Sequence, residues 1–198
     1  MYTLSEAQGL PEYLVGAESR WLGRYADLMP SAFVIPSGFE EGFYRHTNLP
    51  PQLSALFAAI RPQRIDEDLL EPLCVQAVAL ILGSALLDDQ VQQLYLALRN
   101  AELGSGPVHL RRPGVRHSQL AQARVPGTEV LHALKRLWAD DWTFVAVLDR
   151  LDTSGSVALE AAPVLVIRGD AGQPDAELAT RLKATRAWMN AEGLVGLE

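Results

Sequence analysis

"LVGAESRWLGRYADLMPSAFVIPSGFEEGFYRH", Leu14 to His46, decides how the rest of the chain is read. Gly16 opens it and Gly23 follows seven residues on. Between and beyond them, "AESRWLGRYADL" places Trp21, Leu22, Tyr25 and Leu28 at helical spacing, and Pro30 stops the pattern. "SAFVIP" reads as a short buried strand ending at Pro36. Ser37 is then a candidate N-cap for a second helix, "SGFEEGFYRH". Paired glycines followed by a Pro-bounded apolar strand are the punctuation of a phosphate-handling loop. Where a phosphate-binding Lys would be useful, the chain has Glu18.

Outward from this stretch the periodicity is mostly helical. Pro50-Pro51 breaks the second helix, and "QLSALFAAI" resumes one. "DEDLLEPLCVQAVALIL" and "DDQVQQLYLALRNAEL" each carry an apolar face, the latter with Asp88 or Asp89 as N-cap. "GSG" marks a turn, and "PVHLRR" is a short strand ending at Pro113. "PGTEVLHALKRLWADDWTFVAVLDR" predicts one long helix from about Thr128, its N-cap, to Arg150. "SVALEAAPVLVIRG" alternates like a strand or hairpin with Pro163 at a bend. "PDAELATRLKATRAWMNAEG" predicts a last helix, capped by Asp175 and stopped by Gly193, and Leu197-Glu198 carries no structural weight. The expectation is a single α+β domain over residues 1–198. A small mixed sheet of "AFVI", "VHLR" and "VLVIR" is flanked by helices, with a C-terminal helix and tail from residue 171.

Composition narrows the function classes. The chain has 198 residues, 48% hydrophobic and 21% charged, enough for a sizeable core. A net charge of -7 argues against broad sequence-independent nucleic-acid binding, which needs a positive field, though not against a local basic patch. The single Cys74 excludes an internal disulfide and suits a reducing compartment. The N-terminus lacks the basic start and apolar core of a signal peptide. "VQAVALILGSALL" is too short to span a bilayer. A cytoplasmic protein without a membrane partner is expected.

Three segments in order carry a family resemblance. They are "LVGAESRWLGRYADLMPSAFVIPSGFEEGF", "GPVHLRRPG" and "VPGTEVLHALKRLWADDWTFVAVLDR", followed by "APVLVIR". Together, over residues 12–170, they resemble the N-terminal nucleotide-binding, ATP-grasp-like domain of phosphoenolpyruvate synthase and pyruvate phosphate dikinase. The first resembles that family's Val-Gly-Gly-Lys opening and Pro-x-Gly-Phe-Val segment, the second its Val-x-Val-Arg-Ser-Ser-Ala strand and turn. The resemblance implies a fold like the family's N-terminal half, which supplies a Lys and an Arg to nucleotide phosphates. The second half, with the metal-binding carboxylates, would begin about where this chain ends.

Carried over residue by residue, Gly16 matches the family's first Gly, Ala17 the second, and Glu18 the Lys. Glu18 would repel a triphosphate, so Gly16, Ala17 and Glu18 are expected to form a degenerate nucleotide loop, with Glu18 a solvated carboxylate in a helix's first turn. Arg111 matches the family Arg. Around it, "HLRRPGVRHSQLAQAR" holds Arg111, Arg112, Arg116 and Arg124 with His109 and His117 and no acid. Arg111, Arg112, Arg116, His117 and Arg124 are the candidate phosphate or anion ligands, because guanidinium forks match such groups. The competing reading is ion pairing with the protein's surplus acids. By strand alternation Arg111 and Arg112 should point to opposite faces.

Other groups read as structural. Cys74 sits on an apolar helix face. The four His lack metal-ligand spacing. Asp140-Asp141 and Asp88-Asp89 point in different directions and suit caps rather than a catalytic dyad. The function expected is that of a stand-alone, non-catalytic pseudoenzyme relative of the half-domain, acting by binding a protein partner or an anionic small molecule. It would need no cofactor. One alternative is a split phosphotransferase component using ATP with magnesium, completed by another chain. The other is a nucleic-acid accessory protein using the Arg patch.

Overall fold

In the computed structural model, which describes residues 1–198, the three apolar segments share one sheet. They are β2 (Ala32–Ile35), β3 (Ser105–Arg111) and β5 (Val164–Arg168). With β1 (Tyr2–Thr3) and β4 (Ser118–Arg124) at the edges, the order is β1-β2-β5-β3-β4. Every pairing is antiparallel, which corrects the expected mixed sheet. β5 lies between two strands far earlier in the sequence. That central place needs apolar groups on both faces, and the unbroken "VLVI" run supplies them.

Alternation along the strands divides the interior in two. Phe33, Ile35, Val108, Leu110, Val164 and Val166 face the larger core. It is closed by α4 (Ser37–His46), α5 (Leu49–Leu56), α6 (Glu67–Gly83), α7 (Asp88–Asn100), α8 (Thr128–Asp140) and α9 (Phe144–Ser154). Val34, Leu165 and Ile167 face the smaller core. Short N-terminal helices cover that side: α1 (Leu4–Ala7), α2 (Glu12–Val15) and α3 (Ala17–Gly23). Beside them lie β6 (Gln173–Pro174), α10 (Ala176–Leu182), β7 (Ala187–Asn190) and β8 (Gly193–Leu197). The sheet is thus the middle of three layers.

Several local expectations are corrected. The single helix over Thr128–Arg150 is two helices. Thr143 adopts an extended conformation, and its hydroxyl donates to the Asp140 carbonyl, ending α8 and starting α9. The last helix stops at Leu182, where Lys183 turns left-handed. "AWMN" and "GLVGL" then form the β7–β8 hairpin. Ala, Met and Arg favour a helix locally, but burial of Ala187 and Trp188 in the smaller core overrides that weak preference. Gly193 is no helix stop. It sits at φ +146 in a turn where the Asn190 side chain accepts from the Glu192 and Gly193 amides. Leu197, given no weight from sequence, is buried in β8. β4, to which the sequence reading assigned no element, begins at Ser118 after the Pro113-Gly114 turn and pairs with β3.

The N-caps of α4, α7 and α8 are Pro36, Leu87 and Gly127, each one residue before or outside those expected, whereas Asp175 caps α10 through its side chain. Cys74 is a core residue of α6, and burial pushes its thiol up to about 11. No single helix is long and apolar enough to cross a membrane.

Candidate functional site

The Pro113-Gly114 turn brings the sequence-selected residues together. Gly16, with φ +84, joins α2 to α3 directly beneath it. A Cβ there would lie 2.7 Å from Pro113 side-chain atoms, so only glycine lets the two segments meet. Glu18 follows in the first turn of α3 and is aimed at the same place. It is 6% exposed, so the expected solvated carboxylate is corrected to a buried one.

Glu18 is the centre of an ion cluster. Both guanidinium arms of Arg111 donate to it, Nη1 to Oε2 at 2.5 Å and Nη2 to Oε1 at 2.8 Å. Arg116 Nη2 donates to Oε1 at 2.6 Å. The backbone amides of Gly114 and Leu197 donate at 2.6 and 3.0 Å. A carboxylate held by two guanidiniums and two amides is a filled anion site. Burial pushes the Glu18 carboxyl up, but the hydrogen bonds and charges of Arg111, the charge of Arg116 and the Gly114 amide outweigh it. The net result holds it below the usual carboxylate range.

Arg111 is 1% exposed and also donates to the Val195 carbonyl. Arg116 lies over the Trp188 ring, 4.2 Å from its centroid, a cation–π contact. It packs so tightly on β8 that a Cβ on Gly196 would approach its Nη1 to 2.0 Å.

Arg112 points to the other side of the sheet, as alternation requires. It forks onto Glu40 of α4 with both contacts at 2.8 Å, and Nη2 also reaches Asp141 Oδ2 at 2.6 Å. Glu40, 1% exposed, accepts in addition from the Ala162 amide. Burial raises the Glu40 carboxyl and Arg112 only partly offsets it, while Arg112 itself is held well above its ordinary value against its own burial. The raised Arg112 carries the sign of this cluster, because its one cation faces two carboxylates. His117 pairs through Nε2 with Asp140 Oδ2 at 2.9 Å, in an exposed position where such pairs contribute little.

Of the five candidate ligands, then, four have carboxylate partners. Arg111 and Arg112, expected to be open to an anion, are buried and have both arms occupied. Asp140 and Asp141 do point apart, serving His117 and Arg112 respectively. Arg124 alone takes no part in these pairs. It is exposed at the end of β4, in a cleft of about 790 Å³ between α7 and the turn into α8. Arg99 and Tyr95 line that cleft, as do Asp89 and Glu102, so its charge is mixed.

Sequence reasoning missed Glu40 and Asp141 as partners of Arg112, and Trp188 as the platform under Arg116. One signal existed for Glu40. It sits between Phe39 and Phe43 on the stripe that α4 turns inward, an acid where an apolar residue belongs. His109, on the same strand face as Arg111, is fully buried. Its Nδ1 donates to the Gly169 carbonyl at 3.1 Å, and burial lowers its pKa to about 4. No group of three or more His, Cys, Asp or Glu is arranged to hold a metal ion.

A scan against protein-family models finds no match to this chain, and a search of curated proteins finds none either.

Proposed function

We propose that the chain is a non-catalytic relative of the nucleotide-binding half-domain of phosphoenolpyruvate synthase and pyruvate phosphate dikinase, with the phosphate subsite filled by its own carboxylate. It acts by binding a partner rather than by phosphoryl transfer. The observation that carries this reading is the Glu18 cluster. In the resembling domain a Lys and an Arg serve nucleotide phosphates. Here the residue at the Lys position and the matching Arg111 are joined to each other. Arg111 cannot fork onto a phosphate while both arms are held by Glu18. A phosphate oxygen about 4 Å from that carboxylate would meet a repulsion of about 4 kcal/mol at an effective dielectric near 20.

The test is a thermal-shift titration of the full chain with ATP, with and without magnesium, beside an assay for ATP-dependent phosphorylation of pyruvate and for autophosphorylation. No stabilisation and no turnover are expected. A magnesium-dependent rise in Tm with ATP, abolished by Arg111→Lys, would overturn this reading in favour of a split phosphotransferase. Binding to nucleic acid with a steep salt slope would overturn it in favour of an accessory role through the basic residues.

A further inference from the structure

The five-stranded sheet finishes its two edges differently. β1, at one edge, has two residues. β4, at the other, has seven, and its Leu120, Gln122 and Arg124 are exposed, Leu120 at 60%. The pairing settles which backbone groups of β4 look outward. The Pro107 carbonyl of β3 accepts from the Gly169 amide and the Ser105 carbonyl from Arg168, so odd-numbered residues of β3 turn toward β5 and even-numbered ones toward β4. Through the β3–β4 register, Gln119, Ala121 and Ala123 then bond to β3. Ser118, Leu120, Gln122 and Arg124 direct their N–H and C=O groups away from the sheet. A row of outward donors and acceptors on alternate residues is complementary to another extended strand.

Two of these outward groups have partners, and both partners come from α8. Glu129 Oε2 accepts from the Gln122 amide and Arg136 Nη2 donates to the Leu120 carbonyl, each at 3.3 Å, the long end of the hydrogen-bond range. Leu120 and Gln122 stand one on either side of Ala121, so the acid and the cation are placed symmetrically about the middle of the strand. Glu129 and Arg136 are two turns apart on α8, about 10 Å at 1.5 Å per residue, too far to neutralise one another. Arg136 also donates through Nε to Gln119 Oε1 at 3.0 Å, and no carboxylate meets it. The edge is not closed off. Cavities of about 370 and 480 Å³ border it, each lined by Leu120, Ala121 and Glu129.

We propose that β4 is an interface strand, paired antiparallel with β4 of a second copy of this chain about a two-fold axis at Ala121, so that the two sheets become one. The placement of Glu129 and Arg136 selects this occupant and this register. With the axis at Ala121, Leu120 lies opposite Gln122 of the second copy, and Ser118 opposite its Arg124. Each is a pair whose outward N–H and C=O groups exchange hydrogen bonds. The Leu120 carbonyl and Gln122 amide leave their 3.3 Å side-chain contacts for backbone ones. Glu129, beside Gln122, then faces Arg136 of the second copy, beside that copy's Leu120, and the contact occurs twice. Opposite charges set across the seam stabilise it. A parallel pairing would bring the acids together and the cations together. Ala121 meets its own copy at the axis, and its small side chain leaves room for the two α8 helices on that face. A contact made by one strand and one helix edge is at the small end of specific interfaces, so the dimer is expected to be weak, in the micromolar range. No residue of the Glu18 cluster lies on this edge, so dimerisation can fail while the chemistry of that cluster stands.

The experiment is sedimentation velocity on the full chain from low to high micromolar concentration. Wild type should pass from monomer to dimer. Leu120→Lys, a charge on an exposed edge position, should weaken association at least about tenfold, a loss of ~1.4 kcal/mol, with an unchanged circular-dichroism spectrum. Glu129→Arg and Arg136→Glu should each weaken the dimer, and the two together should restore it, as the antiparallel register requires. Cross-linking checks the axis. The native Cys74 is buried, so an introduced thiol is the accessible one. In Ala121→Cys the two copies of position 121 form a non-hydrogen-bonded pair with Cα atoms about 4.5 Å apart, within disulfide reach, and mild oxidation should join two chains. In Arg124→Cys the two thiols are offset by six residues, about 20 Å at ~3.4 Å per residue, and should stay unjoined. Wild type that is monomeric throughout would overturn the proposal. So would a dimer indifferent to Leu120→Lys, a double charge swap weaker than either single one, or Arg124→Cys joining as readily as Ala121→Cys.

Discussion

Replacing Glu18 by Gln removes one negative charge and almost no volume. In the native protein that charge faces Arg111, 1% exposed, and Arg116. Without it, Arg111 stays buried with only the Val195 and Arg112 carbonyls as acceptors besides the new amide oxygen. Breaking one side of a buried pair in this way costs about 3–5 kcal/mol, most of it the penalty of the stranded cation. For a chain of this size each kcal/mol moves Tm by about 2–4 °C, so a fall of roughly 6–20 °C is expected at pH 7. The pH dependence has a definite sign. The folded pKa of Glu18 lies below its unfolded value, so its contribution is fully present above the unfolded value and is lost as pH falls through the folded one. The gap between wild type and Glu18→Gln should therefore be flat near neutrality and close in acid. Glu18→Ala adds a second readout, because it empties the anion site. Inorganic phosphate should raise the Tm of Glu18→Ala and leave wild type unmoved, since a ligand at a hundred times its Kd adds about 2.7 kcal/mol. A Glu18→Gln protein melting within a degree or two of wild type would refute the reasoning. So would phosphate stabilising wild type as strongly as Glu18→Ala.

Other outcomes follow from the same contacts. Arg112→Met should destabilise by about 3–5 kcal/mol by stranding Glu40, and adding Glu40→Leu should recover much of the loss; denaturant melts of the single and double variants check this, and a double variant no better than the single one counts against it. His109 is held neutral with a pKa near 4 against about 6.5 unfolded, so the unfolded chain binds the extra proton between those values. Stability should therefore drop by ~3 kcal/mol as pH falls from about 6.5 to 4, and the slope should flatten in His109→Leu. Gly16→Ala should cost of order 1–3 kcal/mol from its φ of +84 alone, with the 2.7 Å approach to Pro113 adding to it; an unchanged Tm would mean that the junction relaxes freely.

Local pattern determined a good deal here. The strands "AFVI" and "VLVI" and most of the helices are set by apolar periodicity and by Pro and Gly positions, which act over a few residues and can be read from them. So can the opposite orientation of Arg111 and Arg112, since side chains on a strand alternate. What the tertiary structure decided is where weak local preference meets a strong distant demand. "ATRAWMN" favours a helix in isolation, yet its last four residues form a strand because Trp188 must cover the smaller core and carry Arg116. β5 joins β2 to β3 across more than fifty residues of chain, a pairing that no local signal specifies. The arginines are the clearest case. A run without acids reads as a free positive patch, because the partners lie far off in sequence. Glu18 is 93 residues from Arg111, and Glu40 is 72 from Arg112. Whether a guanidinium is a ligand site or a structural ion depends on what folding places beside it. Here the low-dielectric interior leaves no charge unpaired at the end of β3, and the carboxylate that seemed out of place in the first glycine loop is the one that fills the site.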